Sequence, residues 1–173
     1  MPAGARDPLS VDIDPTARVS PLADIEASVR GTRIVVGPDC VVDAFVKIKP
    51  VGGTGDILLG RNCYLNSGCV LYSGNGITFG DDVLVAANCV FAATNHAFDR
   101  TDIPIRLQGF QPSRGGIRIG SDVWIGAGTV VLDGAEIGDG TVIAAGSVVA
   151  GPLPPMSVCG GIPAKVMKPR GGR

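Results

Sequence analysis

A six-residue period runs through this chain and leaves few folds open to it. From Ile119 the sequence reads IGSDVW, IGAGTV, VLDGAE, IGDGTV, IAAGSV and VAGPLP. Each block opens on an aliphatic residue, places turn formers in its middle and usually carries a small residue fifth. The rule also holds for IDPTAR, VSPLAD and IEASVR from Ile13, and for VGPDCV, VDAFVK and IKPVGG from Val36. It holds again for LGRNCY, LNSGCV and LYSGNG from Leu59, and for FGDDVL, VAANCV and FAATNH from Phe79. All 18 blocks open on an aliphatic residue or Phe, whereas the chain's 45% apolar content would fill about eight by chance.

Six residues match neither the helical period nor the two-residue alternation of an ordinary strand. The period fits a coil in which short strands alternate with tight turns, the first and fifth slots pointing inward. Gly, Asp and Asn between them take turn conformations that strain other residues. Three blocks close a triangular coil of about 18 residues, which buries its apolar row only by stacking on its neighbours. Six coils are expected, starting at Ile13, Val36, Leu59, Phe79, Ile119 and Ile137, with small insertions between the early ones and one long loop at 97–118. The expected organisation is an N-terminal arm over 1–12, the coil body over 13–154, and a C-terminal strand and tail over 155–173.

Composition narrows the function. The 15 basic and 16 acidic residues nearly cancel, so neither a nucleic-acid tract nor a polybasic membrane patch is indicated. The start, MPAGARDPLSVDID, has no apolar h-region, and no run of 18 apolar residues occurs, so a cytoplasmic location is expected. Five cysteines include no C-x-x-C pair. Cys40, Cys63, Cys69 and Cys89 fall in inward fifth slots, where a thiol packs as a small hydrophobe. His96 is the only histidine.

The stretches GRNCYLN, ITFGDDVLVAANCVFAATNH, DVWIGAGTVVLDGAEIGDGTVIAAGSVV and GGIPAKVMK resemble the hexapeptide-repeat acyltransferases, in particular the galactoside and maltose O-acetyltransferase branch. The likeness covers residues 13–168. It implies an all-β, left-handed parallel β-helix, a homotrimer and acetyl-CoA as donor. Handedness rests on the resemblance alone, since the general preference for right-handed crossovers points the other way.

His96 stands at the family's histidine position, beside Asn95 and facing outward at the corner between the third and first faces. The resemblance implies a general base: a neutral imidazole takes the acceptor's proton as attack begins and returns it to the leaving thiolate. The backbone N–H of Ala127 is the implied oxyanion donor. Asn66, at the corner between the first and second faces, matches an acceptor-binding asparagine, although a plain turn asparagine reads the same. Trp124 is placed at that corner too, beside cofactor, acceptor and subunit contact. Ala127 and Ala145, 18 residues apart, stack in one column whose amides match those holding pantetheine, and Ala150 follows the same motif. Lys165 and Lys168 match basic phosphate contacts, with Arg170 beside them; a solvated basic tail is the other reading.

The sequence also departs from that branch. Where the galactoside and maltose enzymes carry acidic residues that grip their sugars, this chain has Tyr72 and Ser73, which makes Tyr72 a candidate acceptor contact. Gly151 stands where a lysine or polar residue is common. The loop AFDRTDIPIRLQGFQPSRGGIR resembles that of acetyltransferases from polysaccharide and lipopolysaccharide gene sets. Asp99, Arg106 and Gln108 are its candidate acceptor contacts, unless the loop serves subunit packing.

The reading is an acetyl-CoA-dependent O-acetyltransferase acting on a sugar or glycoconjugate precursor, with active sites between the subunits of a trimer. An N-acetyltransferase acting on an amino sugar would use the same base and donor. A non-catalytic scaffold would not need His96, Asn66, Trp124 and the PAK tail together. Zinc enzymes on a similar coil use three histidines, which one histidine per chain cannot supply, so no metal is expected.

Overall fold

The computed structural model describes residues 11–171 as a triangular prism of stacked parallel strands, a left-handed parallel β-helix. Face A carries Val11–Ile13, Ile34–Val36, Ile57–Leu59, Ile77–Phe79, Ile117–Ile119, Glu136–Ile137 and Pro152–Leu153. Face B carries Arg18–Val19, Val41–Val42, Tyr64–Leu65, Leu84–Val85, Trp124–Ile125, Val142–Ile143 and Ser157–Gly161. Face C carries Asp24–Ile25, Lys47–Lys49, Val70–Tyr72, Val90–Ala92, Val130–Leu132 and Val148–Val149. Register is strict: Leu65, Val85, Ile125 and Ile143 pair in one column, each at most 1% exposed. The first-slot residues therefore form the core, and only coil one departs. There Ile13 is 40% exposed, at the end of the stack.

Block boundaries fall within strands, and the corners fall in the middle of each block. This moves Trp124 off a corner and onto face B, where it pairs with Leu84 and Val142 with its side chain outward. It also changes the third block of each inserted coil. Val29 is 90% exposed, while Gly52, Asn75 and Asn95 are only half-buried. The inward place on face A is taken instead by Ile34, Ile57, Ile77 and Ile117, each two residues before the next coil begins. An insertion lets the chain leave the prism after its third block and return on a fresh apolar residue. Asn95 thus stays out of the core, its carbonyl accepting the Gln111 N–H at 2.8 Å. In the uninserted coil Ala135 fills both roles.

The last coil is short. Leu153 follows Val149 by four residues and stacks on Ile137 in the first-slot column. Parallel stacking continues past 154, because Val158 and Cys159 pair with Val142 and Ile143. Ala164–Pro169 then folds back antiparallel and caps the open edge of face B. Arg170 staples this cap: Nη1 donates to Asp122 Oδ2 (2.8 Å) and to the carbonyls of Gly140 (2.9 Å) and Asp122 (3.1 Å).

The corners need left-handed backbone, which explains the Asp, Asn and Gly of the middle slots. At the A/B edge Asp39, Asn62, Asp82 and Asp122 have φ of 54–58°. At the B/C edge the same role falls to Gly68, Asn88, Gly128, Gly146 and, in coil two, Phe45 at φ 62°.

Candidate active site

The chain leaves face C after Ala92 and reaches the C/A edge at His96, just before the long loop. There the loop returns, and His96 bridges Phe110 as an isolated antiparallel pair. Nδ1 of the exposed His96 lies 3.2 Å from the Gly109 carbonyl, and the ring packs on Phe110 with centroids 4.8 Å apart. A carbonyl only accepts, so this bond places the proton on Nδ1 and leaves Nε2 as the basic nitrogen. His96 and Phe110 share a groove of about 300 Å³ with Val51, Gly52, Tyr72, Ala92 and Thr94. Tyr72 is therefore brought into the same groove as the histidine.

The loop is held from both ends. Gln108 folds it on itself, accepting the Arg100 N–H (3.0 Å) and donating to the carbonyls of Arg100 (2.7 Å) and Ile103 (3.1 Å). Both ends of this amide are thus engaged within the loop. Asp99 and Arg106 stand exposed on the loop, outside the His96 groove, Arg106 on the short Ile105–Leu107 turn. The returning limb is pinned by Asp133, a residue the sequence reading missed. This buried carboxylate accepts the N–H groups of Arg114 (2.8 Å) and Gly116 (2.9 Å) and the Asn75 amide (3.0 Å). Only tertiary partners mark it out, so no spacing could have found it. Replacing Asp133 by Ala strands three donors and is expected to lower stability by about 2–4 kcal/mol. Hydrogen exchange should then show the Arg114 and Gly116 amides losing protection first.

The other half of the expected site lies on the B/C edge. Asn66 gives its Nδ2–H to the Val85 carbonyl at 2.7 Å, stitching coil three to coil four and leaving Oδ1 free. Ala127 and Ala145 stack as adjacent coils, with the Gly146 N–H donating to the Ala127 carbonyl at 2.9 Å. Among the described residues the N–H groups of Ser67, Ala87, Ala127 and Ala145 have no intrachain acceptor. A column of four stacked donors therefore runs up this edge. In coil two it stops, because the Ala44 N–H is taken by Asp43 Oδ1 at 2.7 Å. Lys165 pairs with Gly160 at the top of the column, and Lys168 pairs with Val158 above Trp124 and Val142, both lysines exposed. From coil four to the capping strand the column rises about 19 Å at ~4.8 Å per strand. Stacked amide donors ending in two cations fit an amide-containing arm that ends in phosphates. Arg170 is committed to Asp122 and leaves the cations to Lys165 and Lys168. Ala150 lies on the other edge, C/A, where its carbonyl accepts Arg114 Nη2 at 3.2 Å.

His96 and the donor column thus occupy neighbouring edges with face C between them. From coil three upward the outward residues of that face are Val70, Tyr72, Val90, Ala92, Val130, Leu132 and Val148, all apolar or aromatic, whereas coils one and two carry Asp24, Lys47 and Lys49 there. The cysteines take no part. All five are buried and unpaired, and Cys63 and Cys69 are held well above the ordinary thiol range by hydrogen bonding to their stacked neighbours and by burial. Among the described residues no cluster of His, Cys, Asp or Glu could hold a metal, and no helix is long and apolar enough to cross a membrane.

Comparison with known proteins agrees with the coil. A family profile described as bacterial transferase hexapeptide (six repeats) matches residues 116–151, and one described as hexapeptide repeat of succinyl-transferase matches 57–92. The galactoside O-acetyltransferase of Escherichia coli is 37% identical over 65% of this chain, which spans 54% of that enzyme's length. The putative lipopolysaccharide biosynthesis O-acetyl transferase WbbJ of Escherichia coli is 31% identical, over 80% of this chain and 69% of its own. A hexapeptide-repeat-containing acetyltransferase of Vibrio cholerae, crystallised with acetyl coenzyme A, superposes with TM-score 0.68 at 30% identity, covering 79% of this chain and 71% of that one. The N-acyltransferase AntD of Bacillus cereus, in complex with dTDP and coenzyme A, shares the fold with TM-score 0.77 at 21% identity, covering 92% and 84%.

Proposed function

This chain belongs to the hexapeptide-repeat acyltransferase family, and from that premise we propose that it transfers an acetyl group from acetyl-CoA to a hydroxyl of a sugar or glycoconjugate precursor, in a cytoplasmic homotrimer. One observation carries the reading. A histidine with a fixed tautomer stands on one prism edge, a ladder of free amide donors stands on the next, and the face between them is apolar from coil three upward. A single subunit holds the two halves apart, whereas threefold closure about face C sets one subunit's His96 beside the next subunit's donors.

When bound, acetyl-CoA supplies an acyl carbon activated as a thioester. Nε2 of His96 takes the proton of the attacking hydroxyl and, once protonated, returns it to the departing sulfur. The Gly109 carbonyl steadies the ring through both transfers. The Ala127 N–H meets the negative charge that builds on the acyl oxygen. One coil above, the Ala145 N–H holds the pantetheine arm, Lys165 and Lys168 the phosphates, and Trp124 flanks the arm. Tyr72 and the neighbour's Asn66 border the acceptor. Gln108 shapes the loop beside it, and Ala150 anchors the loop through Arg114. Five free thiols suit a reducing compartment.

Coenzyme A at one hundred times its Kd should raise the melting temperature by about 5–10 °C, from a linkage of about 2.7 kcal/mol. An unmoved transition at saturating coenzyme A would favour a scaffold without catalysis. Thiol release from acetyl-CoA, measured across a panel of sugars, identifies the acceptor. Treatment with alkaline hydroxylamine then separates an O-acetyl product, which is cleaved, from an N-acetyl product, which persists and would assign an amino acceptor instead.

A further inference from the structure

Phe45 is out of character with its position. Its counterparts in coils three to six are Gly68, Asn88, Gly128 and Gly146, the residue types that accept positive φ, yet Phe45 sits there at φ 62° with 64% of its surface exposed. A bulky side chain in that conformation is strained, and strain held at the surface of an otherwise regular coil calls for a role outside the subunit. Directly below, Leu22 is 58% exposed, and its carbonyl accepts the Phe45 N–H at 3.1 Å. Across face C, the C/A edge shows exposed Val29 in coil one and Val51 in coil two, and Val51 also lines the groove of His96.

Rotation about an axis parallel to the coil carries no translation along it, so edges brought together by threefold closure meet at equal height. Coil one then sets Leu22 opposite Val29, and coil two sets Phe45 opposite Val51. Charge agrees with this register. Lys49 is tied to Asp24 and Glu26 at 2.8 Å each, while Lys47 has no carboxylate partner among the described residues and faces out beside that acidic row. Three copies around face C bring each Lys47 towards the acids of another.

We infer that Phe45, backed by Leu22, is a clasp donated to a second copy of this chain, seating on that copy's Val51 and closing the lower end of its His96 groove. The inference rests on the shared-groove reading and assigns to it a residue that borders the acceptor end. Phe45 and Val51 lie on different edges of one subunit, so a bond between them must join two subunits. In the full chain, the F45C/V51C double variant under mild oxidation should form covalent dimers and trimers on a non-reducing gel, and neither single variant should. F45N supplies a second measurement, because Asn88 already occupies this turn in coil four. It should fold normally, yet light scattering on dilution should show its trimer dissociating at a concentration at least tenfold higher. A trimeric parent whose double variant stays uncrosslinked and whose F45N form dissociates at the parent's concentration overturns the clasp. A parent that is monomeric at micromolar concentration overturns the shared groove itself, and the clasp with it.

Discussion

His96→Ala is expected to lower turnover by about 10²–10⁴, the usual worth of a positioned general base, while coenzyme A affinity and assembly stay where they were. The separation of effects follows from geometry. The ring stands exposed at an edge, bonded to one carbonyl and packed on one side by Phe110, so its removal opens no cavity and should change stability by less than about 0.5 kcal/mol. What disappears is Nε2. His96→Asn should be as slow, because an amide at that site can hold the Gly109 carbonyl but cannot take a proton. Thiol release with the acceptor found by screening measures turnover, and titration calorimetry with coenzyme A measures binding. Intact binding with turnover kept near the parent's would remove His96 from the chemistry and leave it a surface residue.

The coil could be read from the sequence because its determinants are local and repeated. Leu65, Val85 and Ile125 are adjacent-coil copies of one slot, and the same rule that makes each apolar also stacks them. The rule loses its hold where the chain leaves the prism. Ile57, Ile77 and Ile117 fill the core place expected of Gly52, Asn75 and Asn95, because an insertion resets the phase and the block pattern carries no record of the re-entry point. The site divides in the same way. Ala127 and Ala145 could be placed in one column from an 18-residue spacing. The Gly109 carbonyl behind His96 and the Asp133 carboxylate under the loop could not, since both are contacts made across the returning loop. Phe45 fits the block VDAFVK without breaking its rule, and only its φ of 62° marks it out.

The second large effect is recovery of activity from two inactive proteins. His96→Ala removes the base from the C/A edge and leaves the donor column intact. Ala127→Trp fills the exposed donor column on the B/C edge and leaves His96 intact. Each alone should show at most about one hundredth of the parent's turnover. Mixed in equal amounts and allowed to assemble at random, the subunits form trimers in which every groove draws one edge from each of two neighbours. A groove works when its histidine comes from the Ala127→Trp chain and its donors from the His96→Ala chain, each with a chance of one half. About one quarter of the grooves should then be whole, and about one quarter of the parent's activity should return. Thiol-release assays on the co-expressed mixture measure this recovery, and purification through two distinct affinity tags, which leaves only mixed trimers with one whole groove in three, should raise it to about one third. Mixed trimers as inactive as their parts would mean that one subunit carries the whole site. His96 would then have to work with groups on its own edge, among them Tyr72 and Phe110, and the donor column would need another use.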